Sequence, residues 1–270
     1  MKRGLATIAV LAFCTVALGA DVRVTTTTTI EGAVAAMMGG LVPSMVTHIK
    51  GSKARTDIVV GDQKITTIVD ADAKQVTVLN ATDMTARVVS AESMPAATGS
   101  MTMPKIDGSL KPTGQSKLLG GTQCQEHLLT MTMSMAEMAG SGKMSPEAAM
   151  MMKDLRIMVN GSMWIAKSGP GVAEFAAFQA LSAKNSMNVL MRAMPGMGSG
   201  GLDRFMESFA STGGLPYLTE MKMSIEGGGD MAPMMKQFGD MKLTSRVTDV
   251  STDILPDDLF TVPTGYKVIK

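Results

Sequence analysis

Cysteine, histidine and aromatic residues are all scarce in this chain, and each scarcity removes a class of function. Cys14 and Cys124 are the only cysteines of 270 residues. Cys14 lies in a leader expected to be removed, which leaves Cys124 alone, so no intrachain disulfide can form. A lone thiol beside Leu118, Leu119 and Leu128 is expected to be buried and inert. His48 and His127 are the only histidines, and neither has a Cys, His or acid at a recognised ligand spacing. His48 alternates with Val46 and Lys50, which reads as an exposed strand position. Asp70 and Asp72 fall in a turn, and Asp253, Asp257 and Asp258 flank a proline in a solvated loop. No Gly-x-Ser-x-Gly and no phosphate loop occurs. The chain is therefore read as non-enzymatic, with no catalytic residue, no resident metal and no cofactor assigned.

A charge excess is lacking too. There are 25 basic and 24 acidic residues, with no basic surplus for nucleic acid and no polybasic run for anionic lipid. Lys2 and Arg3 precede the apolar stretch Leu5 to Leu18, and Ala17, Gly19 and Ala20 supply small residues before Asp21. This is the layout of a bacterial secretory signal, residues 1–20, cleaved after Gly19 or Ala20. The stretch is too short to span a hydrocarbon core of about 30 Å. Bulky Phe13 before Cys14, and apolar chain beyond it, argue against lipid attachment at that cysteine. The expectation is a periplasmic protein with no membrane span after signal removal. Its mature chain, 21–270, has 23 basic against 24 acidic residues, a net charge near −1.

Methionine is what the chain has in abundance: 29, against ten aromatic residues. Its flexible, polarizable thioether fills irregular apolar space without demanding one shape. The first mature segment alternates, with Val22, Val24 and Ile30 on one face and Arg23, Thr25, Thr27, Thr29 and Glu31 on the other. That period of two marks a half-buried strand. Gly32 to Pro43 reads as a loop or short helix. Strands follow at 45–50, 54–60, 64–69, 75–80 and 84–89, with Gly61-Asp62 as a hairpin turn. The segment 93–114, rich in Ser, Pro, Gly, Met and Thr, reads as a connector, with order resuming near Lys117.

Leu129, Met131, Met133 and Met135 alternate with Thr130, Thr132 and Ser134, which places a methionine row on one sheet face. Ser145-Pro146-Glu147 has the chemistry of a helix start. Asn160-Gly161 suits a type I′ turn joining strands 155–159 and 163–167. Pro170 to Met194 is the main helical segment, with Phe175, Phe178, Leu190 and Met191 on its apolar turns. Phe205, Met206 and Phe209 suggest one or two further turns. Strands return at 221–226, 241–250 and 266–269, around a Gly/Met loop from 227 to about 239. The expected fold is mainly β, a single curved antiparallel sheet forming an unclosed barrel, with one or two apolar helices over its concave face. One domain, 21–270, carries the connector near 93–114 and Met-rich inserts near 131–152 and 227–241.

Several segments together resemble a bacterial envelope family, domain of unknown function (DUF) 4412, similar in fold to the lipoprotein carriers LolA and LolB. They are Lys53-Ala54-Arg55 leading to Asp62, Thr66 to Asp70 with Val76 to Asn80, Gly121-Thr122-Gln123-Cys124, Met163 to Lys167 and Gly214-Leu215-Pro216. The ending Leu259 to Tyr266, with its Pro-x-Gly-Tyr, is the most specific piece. The resemblance implies an unclosed antiparallel barrel, helices across its mouth, a cavity of the kind that holds acyl chains, and no catalytic residue. The Met-rich inserts depart from that pattern.

Three functions fit these residues. The first is a carrier or binder of a lipid or lipoprotein acyl chain, with Met131, Met133 and Met135 as the apolar wall. Phe175, Phe178, Leu190 and Met191 would then form the cover. The second is a structural or protein-interaction module of the envelope, in which the methionines are plain core. The third is a Cu(I)-binding protein using thioethers at Met131, Met133, Met135 and Met138.

Overall fold

In the computed structural model, the described residues are 20–32, 35, 42–90, 105–135, 153–185, 202–227 and 241–269. Strands dominate. β1 (Val22–Glu31), β2 (Ser44–Lys50), β3 (Lys53–Val60), β4 (Gln63–Asp70), β5 (Gln75–Asn80) and β6 (Thr85–Ser90) form one up-and-down meander. β7 (Lys105–Leu119), β8 (Thr122–Ser134), β9 (Arg156–Ala166), β10 (Leu215–Glu226) and β11 (Met241–Ser251) form a second. β1 pairs with β11, which fuses both meanders into one sheet ordered β12-β6-β5-β4-β3-β2-β1-β11-β10-β9-β8-β7. Its two outer strands do not pair with each other, so the sheet is not closed into a barrel. Helices α1 (Val172–Asn185) and α2 (Leu202–Ser211) are inserted between β9 and β10. Every pairing is antiparallel except that of β12 (Lys267–Ile269), which runs parallel to β6, so the sheet is mixed at that edge.

The turns follow the local chemistry. Gly61 (φ 58°) makes the β3–β4 turn, and the Asp70 carboxylate accepts the Ala73 N–H at 2.9 Å in the next. Two sequence expectations are corrected. Asn160-Gly161 is no hairpin: β9 runs unbroken through it, paired to β8 on one side and β10 on the other. Gly161 is needed there because a Cβ would collide with the Glu220 carbonyl oxygen. A glycine pair does turn a hairpin at Gly120 (φ 56°) and Gly121 (φ 81°), between β7 and β8. Order also resumes at Lys105, twelve residues before Lys117. Ile106, Gly108 and Leu110 alternate within β7, and a register shift between Pro112 and Ser116 absorbs the proline. β7 is the last strand, so half its donors face no partner, and a proline costs little. The expected helix near Ser145 and the 186–194 part of the main helix lie outside the described residues.

Packing is divided between the two faces. On the helix side, Val22, Ile49, Ala54, Val69 and Val76 oppose one another in a continuous row across β1 to β5. Val172, Phe175 and Phe178 of α1 pack into the core that contains Val22, Val24, Ile49 and Ala54. On the other side of β4–β6, Ile68, Leu79 and Ala86 are covered by Val262 and Tyr266 of the C-terminal tail. Lys50 Nζ donates to the Leu255 carbonyl (2.7 Å), and Arg55 donates to that of Leu259 (3.1 Å). The Pro-Thr-Gly-Tyr ending fastens the tail to the sheet. Gly265 takes φ 93°, Tyr266 turns inward, and the Lys267 N–H reaches the Met84 carbonyl at 2.8 Å.

Candidate functional site

The register of β7 to β11 builds an apolar floor on the helix side. Side chains alternate along each strand, so residues directly opposed across the sheet share a face. Ile106, Met133, Ile157 and Ile225 make one row. Gly108, Met131, Val159, Met223 and Met241 make the next. Leu110, Leu129, Gly161, Met221, Leu243 and Ile30 make the third. Leu110, Leu129, Met163 and Ile165 are buried together with Phe205 and Phe209 of α2 above them. A Cβ at Gly108 would lie 3.0 Å from the Phe205 ring, so this glycine lets α2 approach the edge strand. Met131, Met133, Met221, Met223 and Met241 remain half-buried.

One step further along the strands the character changes. Pro112, His127, Met163, Thr219, Ser245 and Thr28 oppose one another in a fourth row. His127 is buried, and its Nδ1 lies 3.4 Å from the Gln125 carbonyl. Burial lowers its pKa below the usual 6.5; the Gln125 carbonyl opposes that shift, and the Lys167 charge adds to it. Thr28 Oγ1 donates to Ser245 Oγ at 3.3 Å, whereas Thr219 makes no side-chain hydrogen bond among the described residues.

The residues singled out from sequence divide between two places. Met131 and Met133 lie on the floor, and Met135 follows at the end of β8, its N–H bound to the Leu155 carbonyl at 3.0 Å. Phe175 and Phe178 belong to the separate α1 core. The helix over the methionine rows is therefore α2. Leu190 and Met191 lie outside the described residues. Sequence reasoning passed over Phe205, Phe209, Met163, Met221, Met223 and Met241 as site residues. Alternation of Met221 and Met223 with Lys222 was visible, but only the pairing of β10 with β9 joins them to Met131.

Other chemistry-bearing groups are accounted for locally. Cys124 is fully buried, and burial pushes its thiol pKa up against the opposing charge of Lys117. His48, expected to be exposed, is half-buried with its Nδ1 shielded and unpartnered. It sits opposite Arg55, whose strand β3 lies against the C-terminal 3-10 turn, Asp257–Phe260. Burial lowers its pKa; Asp57 opposes this, and Arg55, Arg23 and Lys64 reinforce it. Asp57 is bound by Arg55 (3.1 Å) and Thr66 (2.5 Å). Burial tends to raise the Asp57 pKa, and these two partners with Lys64 bring it below the ordinary value. Lys117 lies 3.8 Å from the Trp164 ring centroid. A cleft of ≈ 460 Å³ at the β7–β8 turn is lined by Leu119–Thr122, Pro170, Tyr217 and the β11 bulge at Arg246–Val250. Among the described residues no three His, Cys, Asp or Glu side chains converge as for a metal ion. No helix among them is long and apolar enough to cross a membrane.

Neither a family model nor a curated protein sequence matches the chain. An uncharacterized conserved protein from Thermus thermophilus is similar at 7% identity and TM-score 0.40, over 93% of this chain and 91% of that one. The structure of PNGF-II is similar at 10% identity and TM-score 0.35, over 93% of this chain but 30% of that one. The Mycobacterium tuberculosis lipoprotein LppX is similar at 11% identity and TM-score 0.27, over 86% and 89%. None reaches a TM-score of 0.5, and none of them informs what this chain binds.

Proposed function

We propose that this protein is an exported, non-enzymatic binder of an apolar ligand, a lipid or acyl chain, seated on the floor beneath α2. The observation that carries the reading is the register itself: three apolar rows across β7 to β11, with methionine at five half-buried positions. Thioether side chains accommodate differently shaped apolar chains, and the sheet that carries them is unclosed. Removal of residues 1–20 at an export signal and residence in the periplasm belong to the same proposal. So does membership of the DUF 4412 family, supported by the Pro263 to Tyr266 ending.

The test is displacement of a hydrocarbon polyene fluorophore from the full mature chain. Binding is expected, with competition by long acyl chains, and a Met131→Glu, Met221→Glu variant should lose at least about tenfold because it buries charge on the floor. No probe binding, or identical binding by that variant, would overturn the reading.

A second reading rests on Met223 and Met241, which oppose each other directly, with Met221 two residues along on the same face. Three thioethers at such spacing suit Cu(I). Stoichiometric Cu(I) uptake that vanishes in Met223→Leu, Met241→Leu, without loss of polyene binding, would favour the metal.

A further inference from the structure

We infer that the ligand of this site is an uncharged amphiphile, a long-chain ester or alcohol such as a monoacylglycerol, whose oxygen-bearing end sits on the His127–Thr219–Ser245–Thr28 row. The inference rests on the floor being a binding site and specifies what it takes. Along β8, β10 and β11, three apolar rows give way in one step to hydrogen-bonding side chains on the same helix-facing surface. Thr28, Thr219 and Ser245 are half-buried, and none of their hydroxyl oxygens is a shielded atom without a partner, so these groups stay open to a ligand as they are to water. Thr28 and Ser245 satisfy each other in part. Thr219 makes no side-chain hydrogen bond among the described residues, and the neighbouring Thr26 hydroxyl, on a buried residue, likewise makes none. These hydroxyls and one imidazole can both donate and accept, which serves an ester oxygen that only accepts and an alcohol that does both.

The row carries no charge that would recognise an anion. His127 is buried and, with its pKa lowered, neutral above the usual imidazole range. Lys167, the cation whose charge reaches it, is an exposed residue bound to the Thr212 carbonyl. The charged side chains flanking the row, Glu126, Glu220 and Arg246, alternate to the opposite face of the sheet. A free carboxylate or phosphate placed here would be desolvated without a counter-ion, which is strongly unfavourable.

The experiment measures two competitors against the polyene in the full mature chain, a 16-carbon monoacylglycerol and hexadecanoate, and the polyene itself by direct titration. It then repeats them in Thr219→Val and Ser245→Ala, near-isosteric changes that remove one hydroxyl each. Monoacylglycerol should outcompete hexadecanoate at pH 8 and lose about tenfold in affinity in the double variant, while polyene affinity stays unchanged. Unchanged polyene binding also reports that the variant is folded. Tighter binding of hexadecanoate, or equal monoacylglycerol affinity in wild type and variant, would overturn the inference while leaving the apolar site intact. Failure of both polyene and monoacylglycerol to bind the wild-type chain would overturn the site itself.

Discussion

Both histidines are held where protonation is disfavoured, which gives the protein a defined acid response. In the unfolded chain each titrates near 6.5; in the folded chain burial lowers both values. Between the folded and unfolded values the unfolded state binds more protons. Stability is therefore full above about pH 6.5 and falls as pH drops through the folded values. Asp57 and Asp257 are also lowered, by their cationic partners, so their contributions persist until pH falls below the ordinary carboxylate value of 3.8. Melting temperature measured from pH 8 to pH 5 should decline by a few degrees, and His48→Gln, His127→Gln should flatten that decline. An undiminished slope in the double variant would assign the response to other groups.

Cys124 makes a simpler case, since lone-cysteine burial was legible from its leucine neighbours. It should resist maleimide in the native state and react on unfolding; prompt labelling of the folded protein would contradict its full burial. His48 was not legible. Alternation along β2 predicts its face correctly, yet the cover over that face comes from more than 200 residues away.

Among the elements, the first meander could be read almost strand by strand because polar turns separate short alternating runs. β9 could not. Asn-Gly carries a strong local preference for a turn, but β8 and β10 offer a complete ladder on both sides, and the extended conformation wins. Gly161→Ala should therefore act as a packing insult in a strand, with no effect on any turn. The added methyl would meet the β10 backbone at Glu220, and a loss of about 1–3 kcal/mol is expected in urea unfolding. Ser162→Ala, one residue on, should be nearly silent. A neutral Gly161→Ala would mean that β9 and β10 can move apart freely. The methionine row itself was legible from alternation in β8. Its extension through Met223 and Met241, and the role of α2 in place of α1 above it, depend on strand neighbours that sequence order does not announce.

For the whole molecule, three covers protect one sheet: α1 packs on the core of Val22, Ile49 and Trp164, α2 on that of Leu129 and Met163, and Val262 and Tyr266 of the tail on Ile68, Leu79 and Ala86. Ending the chain after Ser251 would strip Ile68, Leu79 and Ala86 of their cover and remove the carbonyl partners of Lys50 and Arg55. Such a chain is expected to precipitate or unfold. The milder Phe260→Ala should cost about 3–5 kcal/mol in urea unfolding, since that ring is buried. A loss well under 1 kcal/mol would make the tail an ornament of the sheet.

The seam between β1 and β11 also sets a timetable. Every other antiparallel pairing joins strands adjacent in sequence, whereas Arg23 must wait for Ser251. As the chain emerges N-terminus first into the compartment where it folds, the first meander can assemble as soon as β6 is out, with one side of β1 still vacant until some 160 further residues have followed. An unpaired strand rich in valine or isoleucine would be a template for aggregation over that interval. β1 instead presents Thr25 to Thr29, five threonines in succession. Their hydroxyls keep the waiting edge wet without giving up the β-branching that the final seam needs.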